Sequence, residues 1–180
     1  MGIVLRKHQK EFLNHEKGLK DHAVLEWKVG LGKTFASIFY MLERFSKSNL
    51  IIAPKTTFPD WIKALESLDQ EVRVASGKFR LSSLVSARTC WTLINPEGLR
   101  IEVGNGNLEK FKNNFTGLIV DELTRFRRKS KQTAALRKFA KEIQYKIGLT
   151  GQLVVKDLTD CYNPMNIIFG EKTFGVNYYK

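Results

Sequence analysis

The stretch AVLEWKVGLGKT, residues 23–34, decides the fold of this 180-residue chain. An apolar run, residues 23–27, leads into a glycine-rich turn, and a segment of good helix formers follows Thr34 at once. Glycines let backbone N–H groups turn inward around phosphate oxygens, and the first turn of the helix adds the positive end of its dipole. The stretch therefore predicts a phosphate-binding loop, shaped by Gly30 and Gly32, between a strand and a helix.

Two side chains of this loop have the chemistry to hold a magnesium nucleotide. Lys33 is placed to neutralise β and γ phosphates, and the hydroxyl of Thr34 is a ligand for Mg²⁺. The strict pattern GxxxxGK[ST] fails, because Trp27 stands where its first glycine is expected. ATP and Mg²⁺ are the predicted cofactors; the alternative is a chance GxGKT between a strand and a helix.

Short apolar runs alternate with longer segments of helical period along the whole chain, a pattern typical of βαβ units around a parallel sheet. The predicted strands are 23–27, 50–53, 72–75, 90–94, 118–120 and 146–149. The predicted helices are 5–17, 33–45, 60–68, 108–113, 130–143 and 158–168, and residues 104–107 are predicted to form a turn. We therefore expect an α/β fold of three layers, with ligands at the carboxyl ends of the strands.

An acidic pair follows one of these strands. The apolar run 117–120 leads directly into Asp121 and Glu122. Beside a phosphate loop, Asp121 would hold Mg²⁺ through water, and Glu122 would orient or deprotonate the attacking water. Alone, two carboxylates after a strand are mostly structural, but together with the loop they predict a nucleotide site with Lys33, Asp121 and Glu122 as catalytic residues.

The charge of the chain favours an anionic partner, since 30 Lys and Arg against 18 Asp and Glu give a net charge of +12. The most basic window is residues 125–141. A charge run of this kind is usually a solvated face, and that interpretation stays open. Several cations on one face would instead bind backbone phosphates without sequence preference. The candidate nucleic-acid contacts in this window are Arg127, Arg128, Lys129 and Lys131.

Other classes of site find little support in the sequence. Cys90 and Cys161 lie far apart and form no CxxC pair, so neither a zinc site nor a disulfide framework is indicated. No apolar run approaches the roughly 18 residues that a membrane span needs. We therefore expect a cytoplasmic protein that binds no membrane.

These motifs, in this order, resemble the first half of a SNF2-type superfamily 2 helicase, and most closely the phage-encoded members. Gly30 to Thr34, GLGKT, matches the loop of that family, which is preceded by a non-glycine. The run that follows the acidic pair, LTRFRRKSK, resembles the stretch after motif II of the phage-encoded proteins. The resemblance implies that residues 1–180 are a single RecA-like P-loop domain with a mainly parallel sheet, the ATP-binding half of a DNA-dependent ATPase.

The resemblance extends toward both ends of the chain. LRKHQ, residues 5–9, resembles the LRPYQ motif, which implies that Gln9 recognises adenine and that Arg6 lies beside it in the nucleotide site. Residues 49–63 resemble motif Ia, which touches the nucleic-acid backbone in the family and implies Lys55 as a contact. Residues 90–99 resemble the strand and turn that precede motif II.

IGLTG, residues 147–151, resembles the start of motif III, which couples hydrolysis to movement along the polymer. Gln152 and Leu153 replace its usual Thr-Pro, a departure that puts the coupling in doubt. Superfamily 2 motors complete the ATP site with arginines from a second RecA-like domain, which we expect to be supplied in cis or in trans. Residues 1–180 alone should therefore hydrolyse ATP slowly, if at all.

Three classes of function remain in competition. The first is an ATP-driven helicase or translocase that acts on duplex or single-stranded DNA. The second is a catalytically reduced helicase-like module that binds nucleic acid or protein, favoured by Gln152 and Leu153 and opposed by the intact Lys33 and Glu122. The third, a P-loop kinase, fits the basic window 125–141 less well.

Overall fold

The structure, a computed structural model, describes residues 4–16, 21–44, 46–87 and 90–170. Its centre is one six-stranded parallel sheet with the strand order β1-β6-β5-β2-β4-β3. The strands are β1 His22–Glu26, β2 Asn49–Ile52, β3 Val72–Val74, β4 Trp91–Ile94, β5 Gly117–Val120 and β6 Tyr145–Thr150. All the predicted strands are confirmed, with bounds that agree within one residue.

Helices connect the strands. They are α1 Lys7–Glu16, α2 Lys33–Glu43, α3 Phe58–Glu66, α4 Arg80–Val85, α5 Pro96–Gly104, α6 Leu108–Phe111, α7 Lys131–Ala140 and α8 Tyr162–Phe169. The six predicted helices are confirmed. Four of them (α1, α2, α6 and α7) are shorter than predicted, α3 is shifted two residues toward the N-terminus, and α8 begins four residues later and ends one residue later. Helices α4 and α5 were not predicted. The turn expected after β4 is the first turn of α5: Pro96 and Gly98 are typical of turns, yet Pro occupies the start of this helix, where its missing N–H is harmless.

The helices cover both faces of the sheet and so confirm the three-layer prediction. Alternating side chains of each strand point to opposite faces. On β2, Leu50 and Ile52 pack with the helices α4 to α8, while Ile51 packs with α1 to α3. All three side chains are fully buried, as expected for a parallel sheet covered on both sides.

This topology positions the candidate site. In a parallel sheet all carboxyl strand ends meet at one edge, and β6 lies between β1 and β5. The phosphate loop follows β1, residues 151–153 follow β6, and Asp121 follows β5, so the three motifs are neighbours.

Within the described residues, no helix has both the length and the apolar composition needed to cross a membrane.

Candidate functional site

The phosphate loop has the backbone conformation that its glycines predict. Gly30 and Gly32 lie in the left-handed region, with φ angles of 83° and 78°. Gly32 is the N-cap of α2, and no side chain caps this end of the helix. The first amide groups of a helix lack partners within it and carry the positive end of its dipole. The start of α2 therefore has the properties of an anion-binding site.

Lys33, the first residue of α2, folds back into this loop. Its Nζ donates to the carbonyl oxygen of Trp27 at 2.8 Å and to that of Lys28 at 3.4 Å. The N–H of Trp27 in turn donates to the carbonyl of Thr150 at 3.1 Å, which joins the loop to the end of β6. A phosphate oxygen is a stronger acceptor for an ammonium group than a carbonyl is, because the hydrogen bond joins two charged groups.

Three side chains at the start of α1 hold the consecutive loop carbonyls of residues 30–32. Arg6 Nη1 donates to the first at 3.2 Å, His8 Nε2 lies 2.9 Å from the second, and Gln9 Nε2 donates to the third at 2.9 Å. Since a carbonyl only accepts, His8 carries its proton on Nε2. The motif resemblance had singled out Arg6 and Gln9, but not His8, whose role appears only when α1 and the loop are brought together.

Gln9 is buried, with 4% of its surface exposed, and uses both ends of its amide within the protein. Its Oε1 accepts from the backbone N–H of Arg6 at 2.7 Å, the hydrogen bond of a capping Gln at the start of a helix. An amide has two N–H groups and two acceptor lone pairs, so some capacity remains for a ligand. The role of Gln9 toward adenine stays a prediction.

The acidic pair lies at the end of β5. The backbone N–H of Asp121 donates to the carbonyl of Ile52 at 2.9 Å and extends the pairing with β2. Its Oδ1 accepts from the N–H of Glu122 at 3.0 Å, and its Oδ2 accepts from the indole of Trp61 at 3.0 Å and from the hydroxyl of Thr57 at 3.4 Å. Trp61 belongs to the core, with 1% exposed, and its contact with Asp121 could not be foreseen from the sequence.

Glu122 has an unusual backbone for its residue type. Its φ of 51° and ψ of 51° are left-handed, a conformation that costs a residue with a Cβ roughly 1–2 kcal/mol. Strain of this kind persists only where the surrounding structure imposes it and is concentrated at functional sites. The strain therefore falls on the residue that the sequence predicts to orient the attacking water.

The loop after β6 is tied to both neighbouring strands. The hydroxyl of Thr150 lies 3.2 Å from that of Thr124, on the segment after β5. The N–H of Leu153 donates to Oε1 of Glu26, at the end of β1, at 2.9 Å. A proline at this position would have no N–H to donate. The departure from the motif III pattern at Leu153 thus supplies a hydrogen bond that the usual residue cannot make.

The predicted metal ligands Thr34 and Asp121 come from adjoining parts of this edge. No cluster of three His, Cys, Asp or Glu side chains suited to a metal occurs in the described ranges. Mg²⁺ in nucleotide sites is usually held by one or two protein oxygens together with waters and phosphates. A hydroxyl and a carboxylate beside a phosphate loop fit that donor set.

A cleft of about 250 Å³ lies beyond the carboxyl ends of β2 and β4. Lys55 lines it, as does Arg125, which the sequence placed in the basic window but did not single out. Glu97 also lines it; hydrogen bonds from Arg100 and then Gln132 lower the pKa of this carboxyl to about 2. The cleft thus combines two exposed cations with one carboxylate that stays ionised.

The remaining predicted nucleic-acid contacts are distributed over a wider surface. Arg128, Lys129 and Lys131 are exposed. Arg127 is half-buried, and its guanidinium pairs with Asp160 at 3.7 Å. Lys131 lines a second groove, of about 290 Å³, between α5 and α7. None of these four residues lines the cleft that holds Lys55.

Comparison with protein families identifies the chain. The sequence profile described as "Type III restriction enzyme, res subunit" matches residues 2–153. The chain belongs to this family. Comparison of this res-subunit family member with curated protein sequences gives no significant match.

Two solved structures show the same fold as this res-subunit family member. The SWI2/SNF2 ATPase core of Sulfolobus solfataricus, solved in complex with dsDNA, matches with a TM-score of 0.76 and 18% identity over 93% of this chain and 36% of that chain. The helicase domain of Pyrococcus furiosus Hef matches with a TM-score of 0.69 and 18% identity over 90% of this chain and 35% of that chain.

The chain thus spans about a third of the length of each solved structure. At this level of identity the likeness concerns the fold. Together with the family, it supports a RecA-like domain of the superfamily 2 helicase type.

Proposed function

We propose that this domain is the ATP-binding half of a DNA-dependent ATPase of SNF2 type, which acts as a helicase or translocase in phage DNA metabolism. One observation carries the proposal: Lys33 lies within a loop whose two glycines are left-handed, at the same sheet edge as Asp121 and Glu122. In this proposal residues 1–180 form a single domain that works in the cytoplasm of a host cell.

The loop side chains exchange protein partners for nucleotide. Lys33 leaves the carbonyls of Trp27 and Lys28 and binds the β and γ phosphates instead. Thr34 and, through water, Asp121 would hold Mg²⁺, which supplies positive charge to the phosphate oxygens when bound. The remaining nucleotide contacts come from Arg6, Gln9 and the loop glycines.

Glu122 then acts on water. Its carboxylate orients or deprotonates the molecule that attacks the γ phosphate. Charge that develops on the phosphoryl group needs further cations, and arginines from a second RecA-like domain, in cis or in trans, provide them. Residues 1–180 alone should therefore turn ATP over slowly.

DNA, duplex or single-stranded, is the proposed polymer. Lys55 and Arg125 face one cleft at the carboxyl edge of the sheet, which suits a phosphate backbone that crosses this edge. The exposed Arg128, Lys129 and Lys131 extend the cationic surface. The similar Sulfolobus structure, which contains dsDNA, supports the choice of DNA.

Thermal unfolding with and without Mg-ADP tests the nucleotide site. Ligand at about 100 times its dissociation constant adds about 2.7 kcal/mol to the free energy of unfolding, which raises the melting temperature by several degrees. Lys33→Ala should abolish the increase. Lys28→Ala, a change of the same residue type in the same loop, should leave it intact, because Lys28 contributes only its carbonyl to the contacts described.

Two results would refute the nucleotide site. One is a wild-type melting temperature that does not change in millimolar Mg-ADP, and the other is an equal increase in the melting temperature of Lys33→Ala. Nucleotide binding without turnover, even after a second RecA-like domain is supplied, would favour the alternative of a reduced binding module.

A further inference from the structure

The indole of Trp61 is buried deep in the domain but aimed at the candidate site. Trp61 lies on α3, is 1% exposed, and packs in the core on the α1 to α3 side of the sheet. Its Nε1–H donates to Oδ2 of Asp121 at 3.0 Å. An indole has one donor and no acceptor, so this hydrogen bond uses its whole polar capacity. Packing alone would not require an N–H at this position.

Asp121 depends on few other donors for its orientation. Its Oδ1 accepts from the backbone N–H of Glu122. The Thr57 hydroxyl, 3.4 Å from Oδ2, has one proton and lies nearer to the carbonyl of Pro54, at 3.0 Å. Among the residues that the structure describes, no Lys, Arg or His forms an ion pair with Asp121. Trp61 is thus the best-placed side-chain donor to this carboxylate.

We propose that Trp61 is a positioning residue for the metal: its indole N–H fixes the orientation of Asp121, so that the carboxylate is already placed when Mg²⁺ binds. The proposal rests on the proposed function, in which Asp121 holds Mg²⁺ through water. Hydrogen-bond donors to a metal-binding side chain commonly fix its orientation and strengthen metal binding. Without the N–H, the Asp121 side chain would have one constraint fewer on its rotamer.

Two matched variants separate this role from packing. Trp61→Phe removes the donor to Asp121. Trp91→Phe removes an equally buried indole, 3% exposed on β4, whose Nε1–H donates to Gln70 at 3.1 Å, with no contact to the acidic pair. Both changes delete the same atoms and one hydrogen bond from the core, but only Trp61→Phe touches the candidate metal ligand.

The measurement is the Mg²⁺ concentration at the midpoint of ADP binding, followed with a fluorescent ADP analogue, together with ADP affinity in EDTA. One hydrogen bond corresponds to a factor of roughly three to ten in an equilibrium. Trp61→Phe should raise the Mg²⁺ midpoint by about that factor and leave ADP affinity in EDTA unchanged. Trp91→Phe should leave both unchanged. In an Asp121→Asn background, Trp61→Phe should have no further effect on the midpoint.

An unchanged Mg²⁺ midpoint in Trp61→Phe, while the wild-type chain binds ADP in a Mg²⁺-dependent way, overturns this proposal alone. If ADP binding by the wild-type chain does not depend on Mg²⁺, both this proposal and the metal site of the proposed function are overturned. If Trp61→Phe does not fold, the test uses the NMR resonance of the indole N–H of Trp61 in the wild-type chain. The variants Trp27→Phe and Trp91→Phe assign this resonance by elimination. That resonance should shift when Mg-ADP replaces ADP in EDTA, and a constant position overturns the proposal.

Discussion

At the scale of single residues, Gly30 and Gly32 share a left-handed backbone but differ in their surroundings. A Cβ at Gly32 would lie 2.4 Å from Nε2 of Gln9, whereas nothing lies within 4 Å of a Cβ at Gly30. Gly30→Ala should therefore cost only backbone strain, roughly 1–2 kcal/mol. Gly32→Ala should cost about 1 kcal/mol more, because Gln9 must give up a hydrogen bond. Denaturant titration of the two variants measures the difference in the free energy of unfolding.

The background Gln9→Ala is the control for this pair. With the amide removed, the two glycine variants should be destabilised by similar amounts. Equal destabilisation already in the wild-type background would contradict the proposed clash and would mean that Gln9 moves aside without cost.

At the scale of elements, strands β1 and β6 place two basic side chains side by side. His22 pairs with Lys146 across the ladder, and Lys146 is only 5% exposed. Burial lowers the pKa of Lys146; burial and then the charge of Lys146 lower the pKa of His22. Over the pH range in which each group titrates, the unfolded chain therefore binds more protons than the folded chain. The free energy of unfolding should rise with pH across the titration range of His22 and again across that of Lys146.

Lys146→Met should stabilise the fold at pH 7, because it removes a buried ammonium whose described hydrogen bond goes to the carbonyl of Ala140 at 3.2 Å. We expect an increase of about 1 kcal/mol in the free energy of unfolding, which shrinks as pH rises toward 10. The pKa of His22, followed by proton NMR, should increase. Lys138→Met, an exposed lysine of α7, is the control. A lower free energy of unfolding at pH 7 in Lys146→Met would contradict the proposed cost of burying the Lys146 ammonium.

At the scale of the whole molecule, the net charge of +12 attracts any polyanion, but the cleft is confined to one edge. Reversing Lys55 and Arg125 to Glu should weaken DNA binding and reduce the slope of log K against log salt by about two, one for each DNA phosphate that is no longer neutralised. Reversing Lys7 and Lys10, exposed on α1, changes the net charge equally and should leave most of that slope intact. Fluorescence anisotropy at several salt concentrations measures both.

Equal slopes of log K against log salt for the two double variants would show that DNA binding depends only on the net charge of the protein. In that case the cleft has no special part in binding, and the basic window 125–141 would be a solvated face.

The sequence predicted the sheet well because the signals for it are local. Apolar runs bounded by turn residues marked every strand within one residue, and Gly30 and Gly32, predicted to shape the loop before α2, lie in the left-handed region. Local composition also explains why α5 was not predicted. In α5, Pro96 and Gly98 give the composition of a turn, whereas in the structure this segment is a helix whose Leu99 packs in the core.

By itself, therefore, the sequence determined the three-layer parallel fold and the presence of a phosphate loop and an acidic pair. Only the tertiary structure decided which side chains meet at the carboxyl edge. The bond from Trp61 to Asp121 joins residues 60 positions apart, and that from Leu153 to Glu26 joins residues 127 apart. Periodicity and spacing report on neighbours along a helix or strand, whereas these contacts exist because each crossover returns the chain to the same edge of the sheet.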